Sequence, residues 1–187
     1  SDWVGVESTG MPVNLTRTVV AGNEDVYGPN SPEYGLVLSC DDDLQACGGL
    51  TMSESLVRTL ESRGITAVGV PLDIGASLVT ETYPVYYSSL TEQFGHGIHA
   101  SCVPDTTICG GVTMTASVVK GTHGAALLLK GVSASLTTSL LSDVLPITDN
   151  ENQPAGLAGF GVAVSQPALV QYAGRPGLSG ATGNAGR

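Results

Sequence analysis

Tyr34-Gly-Leu-Val-Leu-Ser-Cys-Asp-Asp-Asp-Leu-Gln-Ala-Cys-Gly-Gly-Leu-Thr-Met52 is written a second time in this chain, as His96-Gly-Ile-His-Ala-Ser-Cys-Val-Pro-Asp-Thr-Thr-Ile-Cys-Gly-Gly-Val-Thr-Met114. Cys40 and Cys102 stand 62 residues apart, and so do Cys47 and Cys109. At that offset Gly35, Ser39, Asp43, Gly48, Gly49, Thr51, Ser55 and Val57 also return, as Gly97, Ser101, Asp105, Gly110, Gly111, Thr113, Ser117 and Val119, with Arg58 answered by Lys120. A self-match of this length marks a duplicated supersecondary unit, which fixes the frame for the rest of the chain.

Within the unit, Leu36, Leu38 and Cys40 alternate with Val37 and Ser39, as in a half-buried strand, and Ile98, Ala100 and Cys102 repeat the pattern. The residues between each cysteine pair, Asp41 to Asp43 or Pro104-Asp105, are turn formers. Thr51-Met-Ser-Glu54 has the form of a capping box, and Leu56 and Leu60 follow one helical turn apart. Glu54 is spaced to pair with Arg58, and Gly64 is a stop, so a short amphipathic helix is expected over Ser55 to Arg63. Ile65 to Leu72 then reads as a buried strand. The second copy has Ala116 for Glu54 and Gly121 for Thr59, which weakens the corresponding helix before a strand at Ala125 to Val132.

Outside the repeat, Val13 to Val20 reads as a strand and Gly28-Pro-Asn-Ser-Pro32 as a turn. Ser135 to Leu145 has helical spacing at Leu136, Leu140, Leu141 and Val144, ended by Pro146. Gly159 to Val164 and Ala168 to Tyr172 suit a last pair of strands. The expected fold class is therefore α+β: a sheet-rich single domain built on a duplicated strand-loop-helix-strand unit, with few short helices. Its parts are an extended N-terminal segment (1–33), a first repeat (34–95), a second repeat (96–150), and C-terminal strands with a mobile Gly/Pro/Ser tail (151–187).

Composition narrows the function. Only 13% of the 187 residues are charged and 5% are aromatic, while 25 are glycine, so hydroxyls, amides and backbone must dress the surface. With 7 Lys+Arg against 17 Asp+Glu the net charge is −10, which repels nucleic acid and anionic lipid and excludes nucleic acid as the main partner. No apolar run approaches the roughly 20 residues of a membrane span. The N-terminus at Ser1 carries no signal-peptide pattern, which suits a trimmed Met or a removed leader. Asn14-Leu-Thr16 is a formal glycosylation acceptor.

The four cysteines fit two disulfides closing small loops, Cys40 to Cys47 and Cys102 to Cys109, each worth roughly 2 to 3 kcal/mol. Pairing between repeats, a four-cysteine zinc site and buried reduced thiols are the other arrangements open to them. Asp41-Asp42-Asp43 at the end of a strand could hold a divalent cation, or could be a solvated acidic turn. The order strand, Asp-Asp, helix, strand, Ser77 resembles that of SurE-type nucleotidases, although Leu44 stands where that family has Gly. The resemblance implies a metal-assisted phosphatase with Asp42, Asp43 and Ser77 at its centre and a divalent cation as cofactor. His96, His99 and His123 occur only in the second copy, as surface or pocket residues. No Gly-x-Ser-x-Gly elbow or phosphate-cradling glycine pattern is present.

Three functional classes are compatible with these features. The first is a structural or assembly protein of a secreted, surface or virion particle, without a cofactor, self-associating through sheet edges or terminal arms. The second is the metal-assisted hydrolase, in which case a cytoplasmic location is open. The third is a secreted toxin or inhibitor stapled by its loops.

Overall fold

A computed structural model of the chain describes residues 3–22, 33–40, 47–84, 95–104, 106–148, 154–165 and 170–173. The backbone winds as a stack of coils, each laying one strand on each of three faces. The first coil is Trp3–Thr9 (β1), Val13–Thr16 (β2) and Val19–Ala21 (β3). The second is Glu33–Ser39 (β4), Leu50–Ser53 (β5) and the beginning of Leu56–Val68 (β6). From Ser62 onward β6 bends onto the first face and opens the third coil, which continues through Leu72–Gly75 (β7) and Leu78–Tyr83 (β8). His96–Ser101 (β9), Val112–Thr115 (β10) and Val118–His123 (β11) make the fourth, and Ala125–Lys130 (β12), Ala134–Thr137 (β13) and Leu140–Thr148 (β14) the fifth. Pro154–Ala158 (β15) runs back antiparallel along β14, and Phe160–Ser165 (β16) and Val170–Ala173 (β17) begin a sixth coil.

Every strand from one coil pairs in parallel with its equivalents in the coils on either side. On the second face the order is β2, β5, β7, β10, β13, β17. A chain that stacks one parallel strand per face per turn is a parallel β-solenoid.

Register turns this stacking into columns of like side chains. Val6, Leu36, Ile65, Ile98, Leu127 and Val162 align on the first face. Leu15, Met52, Ile74 and Met114 align on the second, and Val20, Val57, Val79, Val119 and Leu141 on the third. These columns point inward, and their middle members are fully buried. Each such side chain contributes roughly 1.5 to 3 kcal/mol by leaving water. The interior between three narrow sheets is slender and takes aliphatic side chains, in keeping with the scarcity of aromatics. Where the third face turns into the first it is tighter still: a Cβ on Gly64 or Gly97 would stand 2.7 or 2.4 Å from Val79 or Val119.

The expected helices are absent: among the described residues there are only strands and turns, and the α+β class is corrected to all-β. Ser55 to Arg63 lies along β6, where Leu56 faces outward, Val57 is buried and Arg58 is exposed, the alternation of a strand. Glu54 does not pair with Arg58; its carboxylate meets Arg17 Nε of the preceding coil at 2.8 Å. Ser135 to Leu145 is likewise two strands, β13 and β14, meeting at a corner, with Leu136 and Leu141 buried and Leu140 exposed. The region around Gly121 is β11. Inter-coil hydrogen bonding, available only once the coils stack, outweighs the weak helical preference of these short segments.

The 62-residue repeat is two coils. Corner residues Thr18, Ser55, Ser77, Ser117 and Ser139 occupy equivalent places, separated by 37, 22, 40 and 22 residues. A bare coil is 22 residues, and the longer intervals carry a disulfide loop between the first and second faces together with a second insertion, 23–32 or 85–94, which falls outside the described residues.

Candidate functional site

Each turn from the second face to the third is made by one residue in the left-handed region followed by a hydroxyl. Arg17, Glu54, Ala76, Ala116 and Thr138 have φ of 51, 49, 47, 50 and 49°. The hydroxyls that follow turn back to donate to the carbonyl two residues earlier, as Ser77 does to Gly75 at 2.7 Å. Each of the four serines also accepts the corner N–H of the preceding coil: Thr18 N–H to Ser55, Ser55 to Ser77, Ser77 to Ser117, Ser117 to Ser139, at 3.1 to 3.2 Å. Ser117, fully buried, also donates to the Ile74 carbonyl at 3.0 Å. This ladder satisfies backbone donors that the bend would otherwise orphan.

Outside the ladder runs an open groove of about 540 Å³. Its floor is the small corner residues Ala76 and Ala116, and its wall is the outward column Leu56, Leu78 and Val118, with Glu54 at one end and Lys120 at the side. The same column continues beyond the groove to Val19 and Leu140, which are 61% and 40% exposed. The groove is apolar with one charge of each sign; its Glu54 is paired with Arg17, and its serines Ser55 and Ser77 are bonded into the ladder.

Ser77, expected beside the acidic cluster, is one of those serines: it is buried, its proton is committed to Gly75 and its oxygen to Ser55 N–H. It stands at a coil corner, and no helix precedes it, so the architecture implied by the nucleotidase resemblance is not present. Asp41, Asp42, Asp43 and Asp105 lie outside the described residues. Among the described residues no three His, Cys, Asp or Glu side chains are grouped to hold a metal ion.

Cys40 is bonded to Cys47 and Cys102 to Cys109. Both bridges close loops between the first and second faces, on the second and fourth coils. In the third coil that corner is Gly69-Val70-Pro71, with Gly69 at φ 72°. The repeated Gly-Gly after each pair has a steric cause: a Cβ on Gly48 would lie 2.2 Å from Pro12 N, and one on Gly110 2.1 Å from the Val70 carbonyl group. Gly48 and Gly110, just past the bridges, therefore lie directly on the short corner of the preceding coil.

His96 and His99 sit together on β9, ring centroids 6.5 Å apart, and both are buried. His96 Nδ1 accepts the Ala125 N–H at 3.2 Å. Neither ring nitrogen of His99 has a hydrogen-bond partner among the described residues, and it pairs in register with Thr66 and Leu128. Burial, reinforced by the Arg63 guanidinium and by Lys130, lowers His96 to about 4 and His99 to about 3, so both rings are neutral near pH 7. His123 meets His96 through its backbone, while its own ring lies beside Tyr83 with Nδ1 3.0 Å from the Thr82 carbonyl oxygen. Sequence reading missed the corner ladder although it is visible as apolar, Ser/Thr/Gly, any residue, Ser/Thr, apolar, apolar at Leu15, Met52, Ile74, Met114 and Leu136.

The molecule is thus a disulfide-bonded β-solenoid. No family model, curated protein or solved structure matches the chain.

Proposed function

We propose that this chain is a structural scaffold: a rigid solenoid of a secreted, surface or virion assembly that associates through its sheet edges or terminal arms. The observation carrying this reading is the corner ladder, in which the serine hydroxyls that chemistry could have used are bonded into the frame. The two disulfides support an oxidising compartment, where such bonds persist. No helix among the described residues is long and apolar enough to cross a membrane. A low-charge, hydroxyl-rich exterior fits a surface that meets other protein.

Two measurements test it. Alkylation and mass spectrometry without reductant should find no free thiol. Sedimentation over a wide concentration range should show self-association; a chain that stays monomeric throughout, with and without residues 1–33 and 174–187, would overturn the reading. No observation at Ser77 favours the hydrolase, and the toxin or inhibitor reading shares only the disulfides.

A further inference from the structure

Among the described residues, the first and last coils of the solenoid present complementary strand edges. At the first coil, among the described residues, β1 pairs only with β4, β2 only with β5 and β3 only with β6. Alternate residues of a parallel strand turn their N–H and C=O groups to opposite neighbours. Val13 and Arg17 donate to Gly49 and Ser53 of the second coil, so Asn14 and Thr16 aim theirs at the open side. Core positions lose cover here as well: Val13 and Leu15 are half-buried, while Leu50 and Met52, their partners one coil on, are 1% exposed. The ladder also stops short, since among the described residues Thr18 Oγ1 donates to Thr16 and accepts nothing, unlike each serine after it.

At the far end the last described strand is β16 on the first face and β17 on the second. The columns that finish there at Val162, Val170 and Tyr172 are the ones that begin at Val6, Val13 and Leu15. The third face closes differently, because antiparallel β15 covers the end of β14.

We infer that two copies of this chain stack head to tail, β1 and β2 of one continuing the parallel faces of β16 and β17 of the other. The inference rests on the scaffold reading and names the edge that does the joining. Parallel continuation keeps like columns in line and supplies partners for Asn14 and Thr16. Two first coils meeting face to face would be antiparallel, which the columns do not match. A head-to-tail contact does not close on itself, so it builds a linear series rather than a dimer.

The test uses the full chain with Asn14→Pro, which removes an outward N–H and leaves the inward ladder intact, as proline on an edge strand does. Sedimentation should show wild-type association as a ladder of sizes, weakened at least about tenfold in the variant, with unchanged thermal unfolding. A second arm mixes Asn14→Cys with Gln171→Cys, two exposed positions on the same outward register column, and adds a short bismaleimide. Cross-links between the two variants are expected; cross-links only within the Asn14→Cys pool would overturn the stacking direction, and this arm holds even if the proline variant misfolds. Association that persists in Asn14→Pro without the mixed cross-link defeats the edge and leaves the scaffold reading standing. A wild-type chain that never associates defeats both.

Discussion

The Ser77 backbone N–H donates to Ser117 Oγ, 40 residues further along the chain, at 3.2 Å, with both residues buried. The contact joins two coils that the sequence separates by a disulfide loop and an insertion, and it recurs at each corner between the second and third faces from Thr18 to Ser139. Removing the hydroxyl leaves a buried N–H unpaired. Ser117→Ala is expected to destabilise by about 2 kcal/mol, and Thr18→Ala by less because its hydroxyl accepts no N–H and is half exposed. Urea unfolding followed by circular dichroism measures both; equal effects would contradict the ladder's role.

Gly110 and Gly75 make an internal control for close approach. A Cβ at Gly110 would stand 2.1 Å from Val70 backbone, whereas one at Gly75 meets nothing nearer than 4.0 Å. Gly110→Ala should cost about 3 kcal/mol, and Gly75→Ala should stay within about 0.5 kcal/mol of wild type. Thermal unfolding of the two variants decides it.

Ala116 holds φ of 50° at an exposed corner. A left-handed conformation costs an L residue about 1 to 2 kcal/mol, partly offset in glycine by greater freedom when unfolded. Ala116→Gly should therefore stabilise by up to about 1 kcal/mol, and Ala116→Val should destabilise. A loss of stability on Ala116→Gly in the same unfolding assay would refute the corner geometry.

His96 and His99 give stability a pH dependence. Both are lowered in the folded chain from 6.5, to about 4 and about 3, so the unfolded chain binds their protons first. Stability is complete above about pH 6.5 and falls as pH drops toward 4, by about 2 kcal/mol per histidine near pH 4.5. His99→Leu forfeits no hydrogen bond and should flatten the dependence while leaving stability near pH 7.5 intact. Urea midpoints at the two pH values provide the comparison.

Much of the strand content was legible in the residues. Period-2 alternation placed β4 and β9, and the apolar run at Ala125 placed β12. The helices were misread because the corner and the helix N-cap use the same chemistry: a Ser or Thr hydroxyl bonded to nearby backbone. Thr51-Met-Ser-Glu54 satisfies both patterns locally. Glu54 has Arg58 at helical spacing and Arg17 on the neighbouring coil, and only stacking brings Arg17 to 2.8 Å.

By itself the sequence determined a duplicated, sheet-rich body with two cysteine pairs spaced to close small loops, because cysteine spacing, glycine pairs and alternation are local properties; the structure decided that both pairs are bonded. Tertiary structure decided that the 62-residue repeat is two coils, that Ser77 belongs to the frame, and that His99 is buried with no hydrogen-bond partner among the described residues. Those facts depend on which backbone lies beside which, and parallel pairing between coils joins residues that no local pattern links.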